Sequence, residues 1–323
     1  MCDVGQKEKE FQFAKNLSLS ENVELSLPLF KKVVDEVSPF HPSIAFVATE
    51  PLLYGQVVSA SQYVKRKGLT LSITTNGFLL EKVAEQFVEM GLDDLWVSLD
   101  GMRPLHDSIR GVPGSYGKAL EGIRRIQLLK RETISEKPRL HINYTISDLN
   151  STGLYEFAGA LLHEEVDSIQ FSHLNFITEE MAKRHNDRFG QDWKSTPGSV
   201  SSVHPEWIDI NGLFEQVKKT ETSFSRDKIS FVPALRDREA LFNYYFRPDL
   251  PVGKKRCLVP WTSASIQPNG DMIILARCFN YVVGNIMDQS LLEIWEGERY
   301  ESFRKALWRN RSFPACTRCC GIL

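Results

Sequence analysis

Several features that mark common classes of protein are missing from this 323-residue chain. No apolar stretch approaches the roughly 20 residues that a membrane-spanning helix needs. The polar first ten residues do not resemble a secretory signal peptide. The net charge is −2, and the sequence has neither a basic stripe nor a run of like charges. We therefore expect a cytoplasmic protein with no nucleic-acid partner and no membrane partner.

Cysteine is absent from residues 3–256, although the chain has six cysteines. Cys2 stands alone near the start, and the other five all follow residue 256. A disulfide framework is usually spread through a small secreted domain, whereas thiols in the cytosol stay reduced and available as ligands. The clustering therefore predicts a metal site in the last part of the chain.

Residues 28–174 alternate between helical and strand patterns. Near-continuous apolar strands separated by amphipathic helices predict a parallel sheet that is covered by helices. Each crossover is expected to be right-handed, which curls the sheet towards a barrel. The five predicted strands cover residues 43–47, 70–74, 94–99, 140–146 and 168–172.

The alternation stops after the fifth predicted strand. Residues 176–255 are rich in Ser, Gly, Pro and His, and they predict a connector with a helix over 208–220. This connector either faces a substrate or is a surface segment with one helix packed against the domain. In residues 256–323, the turn Pro268-Asn269-Gly270-Asp271 predicts a hairpin, and residues 291–307 predict a helix. The expected domains are 1–175, 176–255 and 256–323.

Polar residues follow several of the predicted strands. Binding sites in parallel β/α barrels form at the carboxyl ends of the strands. Carboxylates can hold an ammonium group, and hydroxyls and amides can hold a ribose or a purine edge. Asn-Gly and Asp-Gly are also turn signals in their own right, but their repetition at successive strands favours a site. The residues are Thr49, Glu50, Pro51, Thr75, Asn76, Ser98, Asp100 and Asn143.

These features resemble the radical S-adenosylmethionine (radical SAM) enzymes over residues 42–174. Residues 255–320 resemble the SPASM or Twitch extension of that family, through the stretches CLVPW, IQPNGDM, SLLEIW and CTRC. The resemblance implies an α/β fold, a partial (β/α)6-type barrel lacking its first strand, followed by a small domain with a β-hairpin and a helix. It also implies an enzyme that forms a 5′-deoxyadenosyl radical from S-adenosylmethionine and abstracts hydrogen. Relatives modify peptides, oxidise alcohols or mature cofactors.

The resemblance also implies where the cofactor binds. Thr49-Glu50-Pro51 takes the position of the family's GGEP motif, which binds the amino group of the methionine moiety. Ala48-Thr49 replaces the two glycines, which makes a close approach of the backbone to the ligand less favourable. Arg110 is expected to contact the cofactor carboxylate, with a surface ion pair as the alternative. Further expected contacts are Thr75, Asn76, Ser98, Asp100 and Asn143, and no catalytic acid or base can be assigned.

The family's CxxxCxxC motif does not occur in this sequence. Cys2 looks like the last of its three cysteines, which places the first strand and two cysteines upstream of Met1. A catalytic 4Fe–4S cluster is then expected only if those cysteines are restored. The competing hypothesis is a degenerate, non-catalytic iron–sulfur protein that acts in electron transfer or binds a partner.

Four of the later cysteines resemble a Twitch ligand set for one auxiliary 4Fe–4S cluster. They are Cys257, Cys278, Cys316 and Cys319, with Cys320 as a spare. Structural zinc is the alternative, although zinc sites more often pair two CxxC motifs and only one is present. The implied partners are a small-molecule or peptide substrate and an electron donor such as ferredoxin or flavodoxin.

Overall fold

A computed structural model describes residues 23–47, 50–200, 204–252, 256–274 and 281–318. The chain forms two compact units, which are treated separately. The sheet unit consists of the described residues of 37–173 and 208–238. The second unit consists of the described residues of 1–36, 174–207 and 239–323. Within the described ranges, no helix is both long enough and apolar enough to span a membrane.

Six parallel strands form the centre of the sheet unit, and each pairs with the next in chain order. Helices connect them, as parallel pairing requires. The strands are β1 (Ser43–Phe46), β2 (Thr70–Thr75), β3 (Asp94–Ser98), β4 (Arg139–Ile146), β5 (Ser168–His173) and β6 (Ile229–Val232). The helices up to β6 are α1 (Leu27–Val37), α2 (Val57–Arg66), α3 (Leu80–Glu89), α4 (Leu105–Arg110), α5 (Ser115–Thr133), α6 (Leu154–Leu162), α7 (Glu179–Phe189) and α8 (Ile210–Ser223).

The central strands have one apolar face and one polar face. In β4, the even-numbered residues from Leu140 to Ile146 are fully buried, whereas His141, Asn143 and Thr145 are half-buried. Strands β2, β3 and β5 show the same alternation. The prediction of near-continuous apolar strands was wrong here, because polar or charged residues occupy every second position except at Trp96 of β3. One face of the sheet is therefore available for a polar site.

Helices cover the apolar face of the sheet. Tyr144 of β4 packs against Phe157 of α6, with ring centroids 4.8 Å apart. At Gly77, an added Cβ would lie 2.6 Å from the Cβ of Ala119 in α5 and 3.0 Å from Val97 of β3. Helix α5 therefore lies directly against this part of the sheet.

The sixth strand lies in the region that the sequence predicted to be a connector. Residues 229–232 pair in parallel with β5, with Phe171 opposite Phe231, and their rings stack at 5.1 Å. The predicted helix is present as α8. Residues 208–238 therefore extend the sheet, which the pattern missed because β6 is only four residues long and lies among polar residues.

The second unit contains a small antiparallel sheet and four further helices among its described residues. The predicted hairpin is present, since β7 (Ser265–Ile266) pairs with β8 (Asp271–Ile273), and β9 (Val282–Asn285) adds a third strand. The predicted helix over 291–307 is two helices, because the chain is extended at Gly297 between them. The helices are α9 (Arg238–Phe246), α10 (Val259–Thr262), α11 (Leu291–Trp295) and α12 (Glu298–Asn310).

Aromatic residues form the core of the second unit. Trp193 stacks on Phe313 with centroids 5.5 Å apart, and it meets Phe303 edge-on at 5.4 Å. Phe303 and Phe313 are both fully buried. These rings join the segment after α7 to α12 and to the short 3-10 helix Pro314–Cys316, which precedes the last described residues.

Candidate cofactor site

Glu50 joins the turns that follow β1 and β2. Its Oε1 accepts hydrogen bonds from the Thr75 hydroxyl at 2.7 Å and from the Leu52 amide at 3.0 Å. Its Oε2 accepts one from the Asn76 amide at 2.7 Å. Pro51 begins the 3-10 helix that Glu50 caps, and Thr49 lies outside the described residues. The carboxylate therefore braces two strand ends, and its predicted contact with a ligand amino group stays a prediction.

Asp100 follows β3 and is fully buried. Its Oδ1 accepts a hydrogen bond from the Thr145 amide at 3.0 Å, and Arg110 Nη2 lies 2.5 Å from its Oδ2. The Asn150 side chain donates to the Asp100 carbonyl at 3.0 Å. The ion-pair partner of Arg110 is therefore a buried carboxylate. The sequence had left open an ion pair on the surface instead.

His106 supports the turn that contains Asp100. Its Nδ1 accepts a hydrogen bond from the Asp100 amide at 3.0 Å. Burial and the positive charge of Arg110 lower the pKa of His106 to about 4. The ring is therefore neutral at neutral pH and carries its proton on Nε2. Sequence reasoning did not find this role, because a histidine within a helix has no local signal for it.

Ser98 and Asn143 lie on the half-buried, polar face of the sheet and are opposite each other in the pairing of β3 with β4. The Asn143 side-chain oxygen accepts a hydrogen bond from the Ser172 hydroxyl at 2.9 Å, and Gln170 donates to that hydroxyl at 3.0 Å. The sequence did not single out Ser172 and Gln170. Alternation along β5 places them on this face, and that is the signal that could have found them.

Two histidines at the strands have opposite environments. His141 lies on the polar face, between the Ser168 hydroxyl at 2.8 Å and Asp94 at 3.0 Å. It also stacks on Trp96, with centroids 4.5 Å apart. His173 is buried, and burial lowers its pKa to about 3, so it is neutral. His141 makes its polar contacts with the first residues of β3 and β5, so it lies towards the amino ends of the strands, away from the carboxyl ends that Glu50 and Asp100 follow.

Two of the predicted cluster ligands belong to the described residues. Cys316 is buried at the end of the last 3-10 helix, and Cys257 is half-buried before α10. Cys2, Cys278 and Cys319 lie outside the described ranges. Among the residues that the structure describes, no three His, Cys, Asp or Glu side chains converge as metal ligands do. The four-thiolate site therefore stays a prediction.

Two family models match this chain. The radical SAM superfamily model matches residues 2–172, and the model of the SPASM iron–sulfur cluster-binding domain matches residues 257–320. This chain belongs to the radical SAM superfamily. Membership with a SPASM domain implies 4Fe–4S clusters and S-adenosylmethionine as cofactors. These findings do not favour the alternative of a degenerate or non-catalytic iron–sulfur protein that acts in electron transfer or binds a partner.

Named relatives of this radical SAM protein include a cofactor-modifying protein and a synthase. It is 24% identical over 317 residues to a tungsten-containing aldehyde ferredoxin oxidoreductase cofactor-modifying protein of Pyrococcus furiosus, covering 93% of this chain and 80% of that one. It is 29% identical over 168 residues to an Fe-coproporphyrin III synthase of Methanosarcina barkeri, covering 51% of this chain and 38% of that one.

Solved structures share the fold of this radical SAM protein. SuiB of Streptococcus suis has a TM-score of 0.61 at 14% identity, over 90% of this chain and 65% of that one. An affinity-tagged anSMEcpe with bound AdoMet has a TM-score of 0.59 at 18% identity, over 90% of this chain and 74% of that one. The expected α/β fold followed by a small domain with a β-hairpin is confirmed, and the structure adds a third antiparallel strand to the hairpin.

The sheet unit has free bonding capacity for a polar cofactor. Arg110 Nε is buried and has no hydrogen-bond partner within the described part of the chain, and Asp100 Oδ2 has none there beyond its ion pair with Arg110. Ser98 and Asn143 add polar side chains on the same sheet, and both are only half-buried. These residues fit the polar groups of S-adenosylmethionine. The cysteine ligand set fits an iron–sulfur cluster by its chemistry, since thiolates are the usual ligands of such clusters.

Proposed function

We propose that this chain is a radical SAM enzyme that abstracts hydrogen from a small-molecule cofactor or cofactor precursor. S-adenosylmethionine, when bound to a reduced 4Fe–4S cluster, supplies the 5′-deoxyadenosyl radical for this chemistry. The observation that carries the proposal is the meeting of polar strand ends on one sheet, braced by Glu50 and Asp100. The cofactor-modifying relative from Pyrococcus furiosus, matched over 93% of this chain, supports the substrate class.

In this proposal the residues of the sheet unit bind and orient the cofactor. Asn143 and Ser98 face it from the polar side of the sheet. Arg110 Nε donates a hydrogen bond to the cofactor's carboxylate, and Asp100 Oδ2 accepts one from a ribose hydroxyl. Glu50, Thr75 and Asn76 fix the neighbouring turns, so that the backbone of Thr49-Glu50-Pro51 meets the methionine amino group.

The proposed auxiliary cluster is a single 4Fe–4S cluster held by Cys257, Cys278, Cys316 and Cys319. An electron donor of the ferredoxin or flavodoxin type is the proposed reductant. The proposed compartment is the cytosol, because reduced thiols are needed to assemble the cluster.

Metal analysis of anaerobically produced protein tests the cluster. We expect about four irons and four sulfides per chain from the auxiliary cluster. Cys316→Ser is expected to remove most of this iron, and Cys320→Ser, the matched control, to leave it unchanged. Stoichiometric zinc without iron would overturn the cluster assignment. Equal loss of iron in both variants would overturn the ligand set.

The catalytic step is tested on protein that carries a complete CxxxCxxC motif, because three thiolates are needed to hold the catalytic cluster. With dithionite as the reductant, we expect S-adenosylmethionine to be cleaved to 5′-deoxyadenosine and methionine. Asn143→Leu on the polar face is expected to lower S-adenosylmethionine affinity by about tenfold in equilibrium dialysis, the loss of one good hydrogen bond. Leu128→Ala, at an exposed residue of α5, is the control. Cleavage and binding that both survive in the Asn143 variant would contradict the proposed site.

A further inference from the structure

Arg318 lies in the middle of the closing motif Cys316-Thr317-Arg318-Cys319 and is 1% exposed. A guanidinium group is always charged in proteins and has five N–H donors. Burying such a group is unfavourable unless its donors are paired. The hydrogen-bond acceptors of Arg318 therefore show which part of the chain holds this motif in place.

Every donor of Arg318 reaches a backbone carbonyl. Four of the five carbonyls belong to residues 243–250, which are the end of α9 and the turn after it. The last carbonyls of a helix lack partners within the helix and carry partial negative charge, so a cation stabilises them. The acceptors are Tyr244 O for Nε, Leu250 O and Thr317 O for Nη1, and Asn243 O and Arg247 O for Nη2.

Thr317 binds the same segment. Its hydroxyl donates to the Pro248 carbonyl at 2.8 Å. Helix α9 is itself anchored, since the buried Tyr244 hydroxyl donates to the Leu174 carbonyl at 2.9 Å. Both residues that separate the two cysteines are thus tied to one fixed element.

We propose that Arg318, assisted by Thr317, is a positioning residue that holds the described part of the closing motif, and Cys316 within it, in the orientation that the auxiliary cluster requires. This inference rests on the cluster proposed above. All five donors are used by carbonyls, so none is left for a cluster sulfide, and Arg318 acts through the loop. Its positive charge also lies close in sequence to two thiolate ligands, which favours the reduced form of the cluster.

Substitution of Arg318 tests the inference. Arg318→Met removes all five bonds, and Arg318→Lys keeps the charge but cannot reproduce the planar fork. Tyr144→Phe is the matched control, because it removes one buried hydrogen bond, to the Asn150 carbonyl in the sheet unit, and leaves Arg318 and its carbonyl acceptors unchanged. The readouts are iron and sulfide per chain, the electron paramagnetic resonance spectrum of the reduced cluster, its midpoint potential and the melting temperature.

We expect Arg318→Met to lose most of the iron that the parent holds, with an altered spectrum and a more negative midpoint potential in the cluster that remains. Arg318→Lys should keep an intermediate amount of iron, with a potential closer to that of the parent. Tyr144→Phe should melt at a lower temperature with full iron and an unchanged spectrum. If Arg318→Met does not fold, the same readouts on Arg318→Lys and Thr317→Val test the positioning role instead.

Two results would overturn the inference in distinguishable ways. Full iron with an unchanged spectrum and potential in Arg318→Met, beside an iron-loaded parent, would refute the positioning role alone. A parent without iron would refute the proposed cluster and the positioning role with it.

Discussion

At the scale of single residues, carboxylates carry much of the organisation of the sheet unit. Glu50, Asp93 and Asp100 are all buried, and each accepts hydrogen bonds from backbone amides of a different strand or turn. A buried carboxylate that is paired in this way stabilises a structure only as long as its partners remain in place. Two of these residues yield direct predictions.

Glu50→Gln is expected to lower the free energy of unfolding by about 1–3 kcal/mol. The glutamine side chain keeps one acceptor oxygen, but its NH2 group replaces the other. That NH2 group then faces an N–H or hydroxyl donor and loses the hydrogen bond. Urea denaturation measures the change. Glu121→Gln, at an exposed residue that pairs with Lys118, is the control and should change stability by less than about 0.5 kcal/mol. Equal stability of the two variants would contradict the bracing role of Glu50.

Asp93 predicts a pH dependence of stability. Burial by itself would raise the pKa of Asp93, but hydrogen bonds from Lys137, Lys65 and the Leu71 amide outweigh it and lower the pKa to about 2. A carboxyl group whose pKa is lowered on folding stabilises the protein above its ordinary pKa of 3.8, and this contribution is lost as the pH falls to about 2.

Asp93→Asn is therefore expected to be less stable than the parent at pH 7, by about 1–2 kcal/mol, because the partly solvated lysine partners weaken the interaction. The difference should shrink as the pH falls from about 4 to 2. Denaturation curves across this range provide the measurement, with Asp187→Asn as the exposed control. A difference between parent and variant that is independent of pH would rule out the assigned ion pairs.

At the scale of secondary-structure elements, Gly77 decides how closely α5 approaches the sheet. It has a φ of +81°, and an added Cβ would lie 2.6 Å from the Cβ of Ala119. Gly68, before β2, has a similar φ of +70° but no atom within 4 Å of an added Cβ. The two glycines therefore separate backbone strain from steric overlap.

Gly68→Ala is expected to cost about 1 kcal/mol from backbone strain alone. Gly77→Ala should cost about 1–3 kcal/mol more, because α5 has to move away from the sheet. Thermal or urea unfolding of the two variants measures the difference. Similar losses in both would show that the contact between Gly77 and Ala119 does not limit the packing.

Most elements of the sheet unit could be predicted from the sequence, and two kinds of error explain the rest. Strands β1 to β5 lie where short apolar or alternating runs meet polar turns. Strand β6 was missed because a four-residue strand has too little pattern to stand out from its neighbours. The helix predicted over 291–307 is interrupted at Gly297, where the extended backbone separates two helices that each satisfy the same periodicity.

At the scale of the whole molecule, the chain passes between its two units more than once. Residues 174–207 belong to the second unit, residues 208–238 return to the sheet unit, and residues 239–323 belong again to the second unit. A division read along a sequence is contiguous, so the predicted boundaries at 175 and 255 could not show this. The segment 208–238 returns because β6 completes a hydrogen-bonded pair with β5.

The sequence by itself determined the family, the parallel order of the sheet and the positions of the polar strand ends, because these depend on local motifs and on short-range periodicity. Only the tertiary structure decided what the polar residues do. Arg110 finds its carboxylate at Asp100, Glu50 binds a neighbouring turn, and Arg318 binds the end of α9. The partners of a buried charge are chosen by which distant segments the fold brings within hydrogen-bond distance, and no local pattern records that choice.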